Sequence, residues 1–360
     1  MHGSFAAYGY FNGRSQISLR VLSCDKSDEI NERFIEERLK KALNNRLLQF
    51  DFNKTAILRL LHSEADFVPG LIVDKYGDAV VIQALSAGAE KFVECAAGFY
   101  TKALGVKSVL IKNDASIRKI EGLDIYLRWI GTPLTGPQKI LSDEIYYIIN
   151  IEQGQKTGFF ADQRRAYREL SGRVKDASVL DCFSYSGAFS MNAFKYGARR
   201  STLVDISEDA LELAKQSARL NGVYDKCEFI CGNAFDYLKK ESAGVKNHEI
   251  AQLPFDFIIL DPPTFTKSKA NVNEALRGYK EIALRAARLI RDGGFIMSCS
   301  CSFHIGLDDF LNSQRDAFSD SHVRAQLIGA GFQDERDHPM LMQMPETMYL
   351  KYFLFRASKI

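Results

Sequence analysis

From Gly154 onward the chain sets short apolar runs of strand length between stretches of helical character. The runs are Ser178–Leu180, Ser201–Val204, Glu228–Ile230, Phe257–Leu260 and Phe295–Cys299. Strands that are apolar on both sides, with helices between them, bury both faces only in a parallel sheet covered by helices. The expectation is therefore an α/β fold with a doubly wound sheet. Local signals agree: Ser207, followed by Glu208 and Asp209, predicts a helix start, and Asn221-Gly222 predicts its end. Met348–Phe355 (MYLKYFLF) reads as a last strand, paired antiparallel.

The preceding region has a different rhythm. Ile30, Phe34, Ile35, Leu39, Ala42 and Leu47 have helical spacing between Asp28 and Phe50. Strand-like runs follow at Ala56–Leu61, Gly70–Val73 and Ala79–Leu85, then a helix around Ala89–Leu104 and a strand at Ser108–Lys112. This predicts a small α+β domain over 24–150, with the Rossmann-like domain over 151–360. Residues 1–23 hold strand signals around an Asn12-Gly13 turn and form a third, partial β segment. That segment reads as the end of a small β domain whose beginning is missing, or as an extra hairpin on the next domain.

With 46% hydrophobic residues and only 8 prolines, the chain can fill large cores. No apolar stretch approaches the roughly 20 residues needed to span a bilayer, and no signal-peptide pattern opens the sequence, so a cytoplasmic protein without membrane contact is expected. The 7 cysteines lack a framework spacing and read as reduced thiols. Cys182 and the pair Cys227/Cys231 have no metal-ligand arrangement, so no metal is expected. A net charge of +2 says little about partners, and any nucleic-acid surface must be local.

Two groups of loop residues carry the chemistry. Val179–Ser190 (VLDCFSYSGAFS) is a strand, a tight turn and a helix start, and the next strand ends in Asp205-Ile206. An acid there suits ribose hydroxyls. The turn lacks G-x-G-x-x-G, retaining only Gly187, which disfavours a pyrophosphate and hence a dehydrogenase. S-adenosylmethionine has no phosphate to cradle and fits better. The candidate cofactor residues are Asp181, Phe183, Ser186, Gly187, Asp205, Ile206, Asn233, Ala234 and Asp261.

The second group is Asp261-Pro262-Pro263-Thr264-Phe265 with Ser298–His304 (SCSCSFH). Both follow buried strands, and together they offer a cysteine nucleophile and a rigid turn able to hold a flat ring, which points to a nucleobase. Cys301 lies farther toward the carboxyl end than Cys299, where open α/β sheets bind ligands; Cys299 reads as apolar filler.

On these motifs the chain resembles the class I S-adenosylmethionine-dependent RNA methyltransferases, and more narrowly the RlmI-like family of large-subunit rRNA cytosine-5 methyltransferases. Carrying the resemblance are GQKTGFFADQR (Gly154–Arg164), DCFSYSGAFS (Asp181–Ser190), DPPTFTKSK (Asp261–Lys269), SCSFH (Ser300–His304) and DHPMLMQMPETMYLK (Asp337–Lys351). The resemblance implies that YGYFNGRSQISLRVLS closes a PUA domain. It makes Cys301 the nucleophile, assisted by Asp261, and places Lys156, Thr157, Phe160 and Gln163 at the cofactor. Pro262, Pro263, Phe265, His304, Arg164, Lys267 and Lys269 would meet the RNA. Asn233 stands where the family commonly has Asp. The implied partner is large-subunit rRNA or a ribosomal precursor particle, and the implied state includes a homodimer. Two rivals remain: methylation of another base atom, such as an exocyclic amine, and a non-catalytic RNA-binding assembly factor.

Overall fold

The computed structural model describes residues 5–246, 255–266 and 268–359. They divide into two compact units, and neither is one continuous stretch.

The first unit spans 1–144, 149–161 and 334–347. It opens with the hairpin β1 (Tyr8–Phe11) and β2 (Leu19–Ser23), followed by α1 (Glu32–Gln49), β3 (Ile57–His62), β4 (Leu71–Tyr76) and β5 (Ala79–Ala84). Next come α2 (Ala87–Glu90), α3 (Val93–Leu104), β6 (Ser108–Asn113), α4 (Ile117–Glu121), β7 (Tyr126–Gly131) and β8 (Gln138–Ser142). Strands β3 to β7 form a five-stranded sheet in sequence order. Ile35, Leu39 and Leu43 of α1 and Ala96 and Tyr100 of α3 are buried in one core with its apolar residues. Asn12, in the loop between β1 and β2, donates to the Glu121 carboxylate at 2.8 Å, and Arg20 pairs with the same side chain at 3.2 Å. The hairpin therefore docks on the α+β body.

Buried polar groups bind the two later segments into this unit, which a boundary at 150/151 did not foresee. Arg46 grips Asp66 through two bonds of 2.7 and 2.6 Å and donates to the Asp337 carbonyl at 2.8 Å. Arg59 makes a similar fork to Asp74, and its backbone N–H meets the Asp337 carboxylate. Lys112, fully buried, donates to the carbonyls of Ile151 and Gly154.

The second unit spans 145–148, 162–333 and 348–360. After β9 (Ile145–Ile149) its elements are α5 (Arg164–Arg168), β10 (Ser178–Cys182), α6 (Ala188–Lys195), β11 (Arg200–Asp205) and α7 (Glu208–Leu220). There follow β12 (Cys227–Cys231), α8 (Ala234–Lys246), β13 (Phe255–Leu260), α9 (Val272–Leu289), β14 (Ile290–Ser300), α10 (Leu307–Asp320), β15 (Val323–Phe332) and β16 (Lys351–Lys359). The seven-stranded order is β12-β11-β10-β13-β14-β16-β15. Strands β10 to β14 run parallel, and β16 inserts antiparallel between β14 and β15. Alternation along β11 separates the faces: Leu203 packs with Leu211 and Ala214 of α7, whereas Val204 joins the larger core of α8, α9 and α10.

Ser207 caps α7 by accepting from the Ala210 N–H, and the helix ends at Asn221. The closing strand is antiparallel as its sequence suggests, but starts at Lys351 rather than Met348. Edge strand β15 carries no strong apolar alternation and was not anticipated from sequence. Among the described residues, no helix is long and apolar enough to cross a membrane.

Candidate active site

Strand order reverses at β10: the chain winds outward through β11 and β12, then returns to pair β13 on the other side. Such a reversal opens a crevice at the carboxyl ends of the strands, the usual ligand position in an open α/β sheet.

One wall is the turn after β10. Phe183, Tyr185 and Gly187 all have positive φ (63°, 47° and 78°), so the backbone folds tightly back toward α6. The Val204 carbonyl accepts from both Phe183 N–H (2.9 Å) and Ser184 N–H (3.1 Å). A Cβ on Gly187 would lie 2.9 Å from Leu203 Cδ2 and 3.1 Å from Ala214 Cβ, so the position admits no side chain without strain. Asp205 braces the turn, accepting from Tyr185 N–H at 2.8 Å and Ser207 N–H at 2.9 Å. Ile206 beside it is 74% exposed. Asn233, exposed, accepts from Phe235 N–H at 2.8 Å and steadies the start of α8, while Ala234 is buried.

Asp181 is fully buried and serves this wall from behind. One carboxylate oxygen accepts from Ser190 N–H (3.1 Å) and Ser190 Oγ (2.7 Å); the other has no hydrogen-bond partner among the described residues. Burial pushes its pKa up to about 7, against the Ser190 bonds and with help from the Asp205 charge. Ser186 is buried, and the buried Ser184 hydroxyl has no partner among the described residues. That hydroxyl at the turn, the acid Asp205 and the apolar lip at Ile206 fit a nucleoside. They suit the nucleoside part of S-adenosylmethionine without a phosphate cradle.

The opposite wall comes from the segments after β13 and β14, which lie side by side because Leu260 is in register with Ser298. Gln163 donates to Asp261 at 2.8 Å, and Asp261 N–H approaches the Cys182 carbonyl at 3.4 Å. Pro262 is buried and Pro263 exposed. Thr264 Oγ1 lies 3.1 Å from Cys301 Sγ, just beyond the end of β14. Cys301 is half-buried, whereas Cys299 is fully buried and burial pushes its thiol well up. The two cysteines divide as their order along the strand suggests.

Several neighbours were not anticipated. Lys351 is only 6% exposed and donates to the Ser302 carbonyl at 2.9 Å. Its burial lowers its pKa to about 8, against the pull of Cys301. Tyr279, on α9, reaches Ser302 Oγ at 3.2 Å, and burial raises its phenol to about 12. In sequence Thr264 is the residue that separates Pro263 from Phe265, and its contact with Cys301 exists only in the fold. Lys351 had a signal: it is a charge inside the apolar run MYLKYFLF.

Other candidates are dispersed. The Phe265 ring packs 4.5 Å from Tyr279 and 5.6 Å from Phe235, which makes it a buttress of the loop. Phe303 is 52% exposed; His304 lies beside it with a buried Nδ1 that has no partner. Arg164 begins α5, Lys269 is exposed, and Lys267 lies outside the described residues. Lys156, Thr157 and Phe160 belong to the first unit. There the Lys156 ammonium sits 4.6 Å over the Phe160 ring, and the buried Thr157 hydroxyl bonds Asp74 (2.5 Å) and Tyr76 (2.8 Å). Among the described residues, no cluster of His, Cys, Asp or Glu is able to hold a metal ion.

Comparison with known proteins gives this geometry a class. Residues 109–335 match the S-adenosylmethionine-dependent methyltransferase family. The fold recurs in a Streptococcus mutans protein described as a S-adenosylmethionine-dependent methyltransferase, at TM-score 0.81 and 20% identity, covering 97% of this chain and 88% of that one. Pyrococcus horikoshii TYW2, solved in complex with MeSAdo, aligns at TM-score 0.53 and 14% identity, over 92% of this chain and all of that one (100%). The relatives are more specific. The ribosomal RNA large subunit methyltransferase I of Alteromonas mediterranea is 36% identical over 97% of this chain and 86% of its own length. That of Klebsiella pneumoniae strain 342 is 34% identical over 99% and 87%. The chain belongs to this ribosomal RNA large subunit methyltransferase I family of S-adenosylmethionine-dependent enzymes.

Proposed function

We propose that this chain methylates carbon 5 of a cytosine in large-subunit rRNA through a covalent bond to Cys301. The observation that carries the reading is the half-buried Cys301 thiol 3.1 Å from Thr264, in the loop that begins with Asp261-Pro262-Pro263. The rRNA substrate is taken from the names of the relatives.

Carbon 5 of cytosine is a weak nucleophile, so the chemistry needs a partner atom at carbon 6. The Cys301 thiolate adds there, a sulfur–carbon bond forms, and the electrons of the 5,6 double bond make carbon 5 enamine-like. Asp261, steadied by Gln163, accepts from nitrogen 3 once that atom is protonated, and the N3–H draws the displaced electron pair into the ring and favours that addition. S-adenosylmethionine, when bound, would supply the electrophilic methyl from its sulfonium, whose sulfur–methyl bond breaks to leave the neutral thioether S-adenosylhomocysteine. Once carbon 5 is methylated its proton leaves to a base, the double bond reforms, and the Cys301 thiolate is expelled. The target must be unstacked first, because no side chain reaches carbon 6 within a helix. The prolines stiffen the receiving loop, exposed Phe303 offers a ring face beside it, and His304 flanks the base.

Ser184, Ser186, Gly187, Asp205, Ile206 and Asn233 are read as the cofactor wall, with Asp181 holding the turn in place. Arg164, Lys267 and Lys269 are read as phosphate contacts. The Tyr8–Ser23 hairpin is read as the closing part of a PUA-like RNA grip. By the same reading the enzyme works in the cytoplasm, with rRNA or a precursor particle as its substrate and a homodimer as its working state. Nucleoside analysis of unmodified large-subunit rRNA after incubation with enzyme and labelled cofactor tests the reading. Label in 5-methylcytosine that disappears with Cys301→Ala supports it; label in an exocyclic amine that survives the substitution overturns it.

A further inference from the structure

The site holds a buried cation that the scheme above leaves unused. Lys351 opens β16 directly opposite Ser300, the last residue of β14, so its side chain enters the protein where the strand hands over to Cys301. It is 6% exposed and donates to the Ser302 carbonyl at 2.9 Å, one residue past Cys301. Burying an ammonium is costly unless an anion repays it. Among the described residues no carboxylate supplies that anion: the one charge acting on Lys351 is that of Cys301.

The surroundings explain why the cysteine would need such a neighbour. The titratable groups around Cys301 include Asp261 from the loop after β13, Tyr279 from α9, Cys299 on β14, His304 in its own segment and Lys351 from β16. Asp261 and Cys301 both act electrostatically on Tyr279 and on Cys299. A carboxylate this close disfavours a second negative charge on sulfur. Thr264 Oγ1 at 3.1 Å is able to donate to a thiolate, but it carries no charge to offset Asp261.

We propose that Lys351 is the positioning residue of the nucleophile: its buried ammonium holds the Cys301 sulfur in the thiolate form against the field of Asp261. This deepens the cytosine-5 reading and rests on it for the meaning of the thiolate, not for its existence. Burial lowers the basicity of Lys351 and the Cys301 charge raises it, so ammonium and thiolate each stabilise the other's charged form.

The test is the pH profile of Cys301 alkylation by iodoacetamide in the full chain, read by peptide mass spectrometry, which requires neither RNA nor cofactor. Exposed Cys24 in the same molecule serves as reference. Cys301 should react with a midpoint below that of Cys24. Lys351→Met should move that midpoint up by one pH unit or more, slowing alkylation about tenfold at pH 7. Lys351→Arg should largely restore it, and adduct formation by Lys351→Met with 5-fluorocytosine RNA should recover at pH 9. A Cys301 midpoint unchanged by Lys351→Met in a folded variant overturns the proposal. If that variant does not fold, a wild-type midpoint at or above that of Cys24 does the same. A low Cys301 midpoint without any RNA adduct would count against the cytosine-5 reading alone; an adduct with an unmoved midpoint would count against Lys351 alone.

Discussion

Asp181→Asn should make the fold less sensitive to pH. Asp181 is fully buried, with one oxygen satisfied by Ser190 and the other without a partner among the described residues, and its pKa rises from 3.8 to about 7. An acid displaced upward favours the folded state only while protonated. Its contribution is whole below about pH 4 and is lost as the pH climbs to about 7, after which nothing more is lost. The displacement corresponds to roughly 4 kcal/mol in total, of which about 2–3 kcal/mol falls between pH 5 and 8. The asparagine carbonyl can accept from Ser190 as the carboxylate does, and the amide does not titrate. Any fixed cost of a buried amide is independent of pH, so the informative quantity is the slope of the difference. Urea denaturation followed by far-ultraviolet circular dichroism at pH 5, 6, 7 and 8 should show the variant gaining on wild type by about 2–3 kcal/mol. A difference that stays flat across that range would refute a protonated, desolvated Asp181.

Three further outcomes follow from the geometry. Gly187→Ala places a Cβ 2.9 Å from Leu203 at φ 78°, so it should cost about 1 kcal/mol or more of stability and weaken S-adenosylmethionine binding in calorimetry. Arg46→Met leaves the Asp66 carboxylate, 6% exposed on its side chain, without its cation though still bonded to the His62 N–H, and should cost about 3 kcal/mol in a denaturant titration. Thr264→Val removes the hydroxyl 3.1 Å from Cys301 and should slow single-turnover methylation about fivefold, with cofactor affinity unchanged.

The sheet was legible wherever burial imposes a simple pattern. Strands β10, β11, β13 and β14 are apolar on both faces, and the cap at Ser207 has a local hydrogen-bond partner, so each announces itself in sequence. Strand β15 did not: it lies at the sheet edge, many of its residues are half-buried or exposed, and its pairing comes wholly from β16. The return of 334–347 to the first unit is similarly hidden, because it depends on Asp337 and His338 finding Arg46, Arg59 and His62 across long sequence separations. In the site, Cys301 and Asp261 were readable because their strands end in reactive residues. The roles of Thr264 and Lys351 were not, although Lys351 stands out as a charge within MYLKYFLF, since those roles exist only once β13, β14 and β16 are in register.

Trapping reads the covalent bond between Cys301 and cytosine on its own. Fluorine at carbon 5 blocks the elimination step, so large-subunit rRNA containing 5-fluorocytosine should form a denaturant-stable adduct with the enzyme. That adduct should require S-adenosylmethionine and be absent with Cys301→Ala. Methyl transfer to ordinary rRNA with no adduct on the fluorinated RNA would contradict the covalent mechanism.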